Sequence, residues 1–373
     1  MKQQYQPIFQ SFVLPSGVEL KNRVLMAPMT NSSSNEKGEV TPEELAYYRA
    51  RSGGVGAVIT ACANVLPGGQ VFKTAIGADQ DTQIPGLKKL AETIKVDGAK
   101  AILQLFHAGR IGDPEHSEDG ELLSASAVAA ERDGAAIPRE MTETEIQRMI
   151  EAFGEATRRA IEAGFDGIEI HGANGYLVQQ FLSPHSNRRT DQWGGTPEKR
   201  MAFPLAVINS VKKAIAAYAK TPFVIGYRFS PEEKEETGYD VAYMLQFVDV
   251  LAEQNLDYLH VSLREFWQGS FREEQDTEPT IALVQNLVGS RVPVMGVGGL
   301  SSPQEVVAAL DTGVPLLSLG HALVMEPQWV EKVANGEEAE IRTTLPRADQ
   351  RELAIPDRFM KDLGKFPGWF PIV

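Results

Sequence analysis

Apolar runs and stretches of helical period alternate along almost the whole chain. The runs span 24–29, 56–65, 101–106, 167–170, 223–229, 258–262, 292–297 and 316–319, and most are aliphatic or β-branched throughout, as strands buried on both faces are. Between them, apolar positions three and four apart predict amphipathic helices over 42–51, 86–96, 142–163, 197–219, 241–254, 279–288 and 303–310, with a shorter one over 328–333. Thr41 and Thr196 stand directly before a proline, Thr142 and Glu145 form a capping box, and Gly53, Gly98, Gly164 and Gly313 close helices. Alternation of this kind predicts an α/β chain folded as a closed (β/α)8 TIM barrel, with an open doubly wound sheet as the rival. Loop lengths favour the barrel: helix-to-strand turns are short, as at 164–166, whereas strand-to-helix loops over 109–141, 173–196 and 263–278 are long. In a barrel those long loops gather on the C-terminal face, where active sites lie. No linker interrupts the pattern, so one domain over 1–373 is expected, with a tail from about 340.

Composition narrows the choice of partner. The 373 residues are 43% hydrophobic and 23% charged, with a formal net charge of −14. That balance argues against nucleic acid and against an anionic membrane surface, both of which need a basic face. A single cysteine, Cys62, leaves no internal disulfide and no cysteine-rich metal or iron–sulfur site. No apolar run reaches the ~18 residues of a membrane span. The polar first ten residues lack a signal-peptide core, so a cytoplasmic address is expected.

Strand ends hold the candidate chemistry. Gly298 and Gly299 follow the seventh strand and Gly320 the eighth, where barrels often bind phosphate through backbone N–H groups; a tight turn is the structural alternative. Gln104 and Arg228 lie inside apolar strands. An arginine there needs a negative partner, either an internal carboxylate or a polar ring with carbonyls, and Gln104 offers both donor and acceptor to an imide edge. His171, Asn174 and Tyr176 emerge within six residues of the fourth strand's end. His and Asn can both donate to one carbonyl oxygen, and a tyrosine protonated at neutral pH can act as an acid. His107 and His260 are expected to support loops or pack near the ring, His116 and His185 to be solvated, and Cys62 to be a packed side chain.

The run from His171 to Leu177, then Gln180 to Pro184, then Asn187 to Gly195, closely resembles the Old Yellow Enzyme family of FMN-dependent ene-reductases and NAD(P)H:flavin oxidoreductases. The likeness extends over nearly the whole chain, through Asn22-Arg23 to Thr30, Gln104 to Arg110, Arg228 and the two glycine turns. It implies noncovalent FMN, with Ala27, Pro28, Met29 and Thr30 lining the flavin and Thr30 near its C4 carbonyl. Ala61 would contact the same edge through its backbone, Gln104 would bind the pyrimidine ring, and Arg228 the N1–C2 region. Gly298, Gly299, Gly320 and His321 would form the phosphate site. NADH or NADPH would donate hydride. His171, which also belongs to the flavin pocket, and Asn174 would hold the oxygen of an α,β-unsaturated carbonyl or similar small-molecule acceptor. Hydride would reach its β carbon, and Tyr176 would protonate the α carbon.

One departure stands out. The family commonly has arginine after the glycine of the eighth strand; this chain has His321, a weaker anion partner, which implies looser or pH-sensitive FMN binding. Relatives that carry an iron–sulfur cluster need a cysteine cluster, so electrons are expected to pass directly from nicotinamide to FMN to acceptor. A noncatalytic flavin-binding or redox-sensing barrel is the alternative reading. A metal-dependent hydrolase lacks its His-x-His at the first strand, and a Schiff-base aldolase lacks a lysine at the mouth, Lys100 lying at the wrong end of its strand. The aromatic tail, with Phe366, Trp369 and Phe370, is expected to form a dimer contact rather than pack on its own barrel.

Overall fold

Eight parallel strands close into a barrel in the computed structural model, which describes residues 1–373 apart from Glu118, Glu274, Phe366 and Pro367. They are β1 (Val24–Met26), β2 (Ala57–Ile59), β3 (Lys100–Phe106), β4 (Gly167–Gly172), β5 (Val224–Phe229), β6 (Tyr258–Val261), β7 (Val294–Gly296) and β8 (Leu316–Leu319). β8 pairs with β1, and β2 pairs with both β1 and β3, so the ring has no free edge and the open-sheet rival is ruled out. The helices are α1 (Pro42–Arg51), α2 (Ile84–Lys95), α3 (Glu143–Glu162), α4 (Leu177–Leu182), α5 (Pro197–Tyr218), α6 (Val241–Ala252), α7 (Thr280–Val288), α8 (Pro303–Leu310), α9 (His321–Met325), α10 (Trp329–Asn335) and α11 (Asp357–Leu363). Thr41, Thr142 and Thr196 cap α1, α3 and α5 by accepting from the backbone N–H three residues on.

Several strands are shorter than the apolar runs, and for β1 and β2 the reason is local. β1 stops at Met26, before Pro28, which has no N–H to give a ladder. The 56–65 run breaks after Ile59: Ala61 donates its N–H to the Tyr48 hydroxyl at 2.7 Å, and Ala63–Asn64 then pairs separately with Leu105–Phe106. Both breaks lie at the mouth.

Side-chain alternation along the strands fills the barrel in layers. The lower layer is apolar, with Leu25, Ile59, Ile102, Val224, Tyr258, Met295 and Leu316, and the N-terminal hairpin residues Leu14, Val18 and Leu20 plug it from below. Further along the same strands the inward positions become polar: Gln104, His260 and Ser318 two residues on and Arg228 four residues on from Val224, joined by Glu169 of β4. The core thus turns hydrophilic where the C-terminal face begins.

Part of the tail packs on its own barrel. Phe370 is buried, its ring 4.1 Å from that of His321, and Phe359 of α11 meets Tyr47 at 5.7 Å. Phe366 lies outside the described residues.

Candidate active site

Two cavities open side by side at the C-terminal mouth. The first, about 910 Å³, is lined by Ala27, Pro28, Met29 and Arg228 at one end and by Gly298, Gly299, Gly320 and His321 at the other. The second, about 820 Å³, lies over the ends of β4 to β6 and includes Asn174. Arg264 lines both.

His171, at the end of β4, is buried, and its Nδ1 accepts the Ala173 N–H at 3.3 Å. That contact leaves the proton on Nε2 and makes the ring a neutral donor. Burial, then the charge of Arg228, holds its pKa well below the usual histidine value. Asn174 has φ = 56°, a left-handed conformation that asparagine tolerates better than most residues. Its N–H donates to Ser230 Oγ at 2.8 Å, and its Oδ1 accepts from Ser262 Oγ at 3.0 Å. With Ser262 on the oxygen side, the carboxamide is oriented so that its Nδ2 donors are the groups left to offer a ligand oxygen. Tyr176 stacks edge-on to His171 at 4.8 Å and to Phe106 at 5.2 Å. Burial raises its phenol pKa, so the hydroxyl keeps its proton.

Beneath this clamp runs a buried polar chain. Gln104 Nε2 donates to Glu169 Oε1 at 2.6 Å, and His260 Nδ1 lies 2.9 Å from Glu169 Oε2, while its Nε2 lies 2.8 Å from Ser318 Oγ. Glu169 and His260 are fully buried. His260 is neutral, because burial and the Arg228 charge both disfavour imidazolium; it donates through Nδ1 and accepts the Ser318 hydroxyl at Nε2. Burial pushes the Glu169 carboxyl up, but His260, Arg228 and Gln104 together bring it below the usual range. Gln104 gives one amide hydrogen to Glu169, so its second N–H and its oxygen remain for a ligand. Sequence reasoning passed over Glu169 and Ser318, although the alternation Gly167, Glu169, His171 already aims Glu169 inward.

Arg228 projects from β5 beside His171 and His260 in register, and its buried Nε has no hydrogen-bond partner. A buried guanidinium N–H without an acceptor fits a ligand carbonyl or ring nitrogen. At the far end Gly298 and Gly299 have φ of 134° and 62°, and a Cβ on Gly298 would come within 2.7 Å of the Phe266 nitrogen. Among the described residues no acceptor takes the N–H of Gly299 or Gly320. The Arg228 guanidinium, the floor of Ala27, Pro28 and Met29, and the glycine turns therefore line one cavity.

Ala61, Thr30 and Cys62 sit where β2 breaks. The Ala61 N–H goes to Tyr48 and its carbonyl accepts from Thr60 Oγ1 at 2.9 Å, which leaves its backbone one carbonyl lone pair, beside the methyl group, for a ligand. Cys62 adjoins Thr30, and burial pushes its thiol up to about 12. His321 is flanked by Phe370 and by Trp369 at 5.6 Å, and burial against these rings lowers its pKa. His107 is buried, its Nδ1 accepting the Gly109 N–H at 3.1 Å. His185 is not solvated: it is buried against Thr237 at 2.9 Å.

One carboxyl supports the clamp from the second cavity. Glu233 accepts from Gln179 Nε2 at 2.9 Å and Ser183 Oγ at 2.5 Å, and Gln179 Oε1 accepts the Gly175 N–H at 2.9 Å, next to Asn174. Burial pushes Glu233 up from 4.5 to about 7. A raised carboxyl pKa stabilises the fold below the unfolded value, and that stabilisation is lost as pH rises through about 7. Thermal stability is therefore expected to fall between pH 5 and 8. Glu233→Gln should flatten the slope in part, because Glu44 is raised to about 7 as well. Melting temperatures measured across that range check the sign; an unchanged slope in Glu233→Gln would remove Glu233 as a contributor.

A family model described as the NADH:flavin oxidoreductase / NADH oxidase family matches residues 7–340. The chain is 43% identical over 371 residues to the probable NADH-dependent flavin oxidoreductase YqiG of Bacillus subtilis, covering 100% of this chain and 99% of that protein. It is 45% identical over 353 residues to the NADH:fumarate oxidoreductase of Klebsiella pneumoniae, covering 94% of this chain but only 38% of that much longer protein. Among solved structures, morphinone reductase in complex with tetrahydroNAD superposes with a TM-score of 0.75 at 27% identity, over 88% of this chain and 91% of that one.

Proposed function

The chain belongs to the NADH:flavin oxidoreductase / NADH oxidase family, and from that premise we propose that it reduces activated alkenes, holding the acceptor's oxygen with His171 and Asn174 and protonating its α carbon through Tyr176. As an oxidoreductase of this family it uses FMN with NADH or NADPH as hydride donor, and it is not a passive flavin carrier. The chemistry FMN supplies when bound is two-electron hydride carriage from the nicotinamide to the acceptor.

The residues present fit the group. Arg228 Nε and the free oxygen of Gln104 would meet the imide end, and Ala27, Pro28, Met29 and Thr30 would line the ring, with Ala61 in apolar contact. The N–H groups of Gly299 and Gly320, with Gly298 and His321, would hold the phosphate.

The single observation that carries the reading is the fixed donor state of the clamp. His171 Nδ1 accepts the Ala173 N–H and Asn174 Oδ1 accepts from Ser262 Oγ, so the imidazole presents its Nε2–H and the carboxamide its Nδ2 hydrogens as the donors for an acceptor oxygen. Two preorganised donors stabilise the oxygen of an α,β-unsaturated carbonyl as negative charge develops on it. The alkene gains hydride at its β carbon and a proton at its α carbon, the latter from the Tyr176 hydroxyl. The name of the relative that acts on fumarate, itself an activated alkene, supports this acceptor class. Anaerobic incubation of the FMN-loaded protein with NADH and 2-cyclohexenone tests it: one cyclohexanone should form per NADH consumed, and no enone-dependent NADH oxidation would overturn it.

The phosphate end has its own expected outcome. His321 is neutral at pH 7.5, since burial lowers its pKa. Arg342 reaches the same cavity, but its charge is shared with Glu326, Asp349 and Glu352. His321→Arg is expected to tighten FMN about tenfold, as a charge-assisted bond replaces a neutral one. FMN affinity of the unaltered protein should be flat above pH 7 and rise only on acidification. Fluorescence titration of FMN across pH checks both; no gain in His321→Arg would count against a phosphate contact there.

A further inference from the structure

The second cavity carries charge that the clamp does not use. Its wall includes Arg132, Lys234 and Arg264, and among the described residues none of these three lies within ion-pair distance of a carboxylate. Arg132 is tied only to the carbonyls of Ile111 and Gly112, at 3.2 and 3.3 Å. By count the wall is balanced by Glu131, Glu232, Glu233 and Glu235. By arrangement these carboxylates face partners of their own, Glu235 an arginine and Glu232 and Glu233 neutral donors, and among the described residues none of them is paired with Arg132, Lys234 or Arg264. Glu235 pairs with Arg110 at 2.9 Å. Glu232 accepts from Ser270 Oγ and the Phe271 N–H, at 2.8 Å each. Glu233 is held by Gln179 and Ser183.

Arg264 has the more telling place. It follows Ser262, the residue that fixes Asn174 Oδ1, by two positions, and it lines both cavities where they meet. A ligand whose oxygen lies at Asn174 therefore has an unpaired guanidinium on the adjoining wall.

We propose that this wall is an anion subsite in which Arg264, assisted by Arg132 and Lys234, takes an ionised carboxylate or phosphate group of the molecule docked beside Asn174. The inference rests on the clamp reading above. The anion has two possible sources, a carboxylate on the acceptor or the pyrophosphate of the nicotinamide donor, and the subsite chemistry is the same for both.

The test is equilibrium titration of the oxidised, FMN-loaded protein with fumarate, dimethyl fumarate and tetrahydroNAD, read by flavin absorbance, in the parent and in Arg264→Gln. Loss of a charge-assisted contact is expected to raise a dissociation constant about tenfold, less at high salt. Weakening of fumarate but not of its dimethyl ester assigns the subsite to the acceptor; weakening of tetrahydroNAD assigns it to the donor; either result supports the proposal. Unchanged binding of both, absence of binding in the parent, or equal weakening of fumarate and dimethyl fumarate overturns it. Turnover of 2-cyclohexenone by the parent separates the two levels. If it proceeds while the titrations show no charge effect, only the subsite fails; if it does not, the clamp reading fails.

Discussion

The double variant His171→Ala/Asn174→Ala is expected to lose activated-alkene reduction almost entirely while still binding FMN. Removing one preorganised oxyanion donor costs about 2.7–4 kcal/mol of barrier stabilisation, or about 10²–10³ in rate. The two donors share one oxygen, so their losses should fall short of full additivity, and a combined drop of about 10⁴ is expected. The flavin should be retained, because the cradle of Gly298, Gly299 and Gly320 and the Arg228 guanidinium belong to other strands. Stopped-flow measurement separates the steps: reduction of the bound flavin by NADH should persist, and its reoxidation by 2-cyclohexenone should collapse. Tyr176→Phe should slow only that second step, by about 10²-fold or more, the ordinary worth of a positioned acid. Full enone turnover in the double variant would remove the clamp from the mechanism.

Glu169→Ala is expected to cost about 3–5 kcal/mol of folding stability, the largest single-residue effect predicted outside the clamp. The reason is electrostatic. Glu169 is fully buried and ionised, and it faces the buried Arg228 charge while accepting from Gln104 and His260. Truncation leaves Arg228 uncompensated and orphans two further polar groups in the barrel interior. Because its pKa is depressed in the fold, Glu169 stabilises the protein above its unfolded pKa, and that stabilisation is lost as pH falls through the folded value. Glu169→Gln should be less damaging than alanine, since it keeps an acceptor for His260 but loses the charge. Urea unfolding of the FMN-free protein at pH 7 measures both without the mass-action contribution of bound flavin. A Glu169→Ala protein as stable as its parent would refute the charge balance.

The fold was legible where the pattern was local. Aliphatic runs marked all eight barrel strands, because a strand buried on both faces leaves no polar position to interrupt it. Thr142 with Glu145 located the start of α3, since the cap needs only four consecutive residues. His171, Asn174 and Tyr176 stood out for the same reason: three hydrogen-bonding side chains of different type crowd one strand end.

What escaped was set by distance along the chain. Glu169 and His260 are 91 residues apart and Gln104 lies 65 residues from Glu169, so neither partner can be read from the other's neighbourhood. The break after Ile59 depends on the Tyr48 hydroxyl capturing the Ala61 N–H, which no local preference predicts. Phe370 could have covered a neighbour or its own barrel; the rings at His321 decide that it covers its own.

By itself the sequence determined the barrel, its polar mouth and the types of group gathered there, because alternation, helix caps and strand-end chemistry are properties of adjacent residues. Only the tertiary structure decided which partners are met: Nδ1 of His171, Oδ1 of Asn174 and one amide hydrogen of Gln104 are engaged, while among the described residues Arg228 Nε has no partner. Hydrogen-bond capacity is finite and is consumed by partners that closure of the ring brings together, so the direction in which this site can donate is a property of the folded barrel.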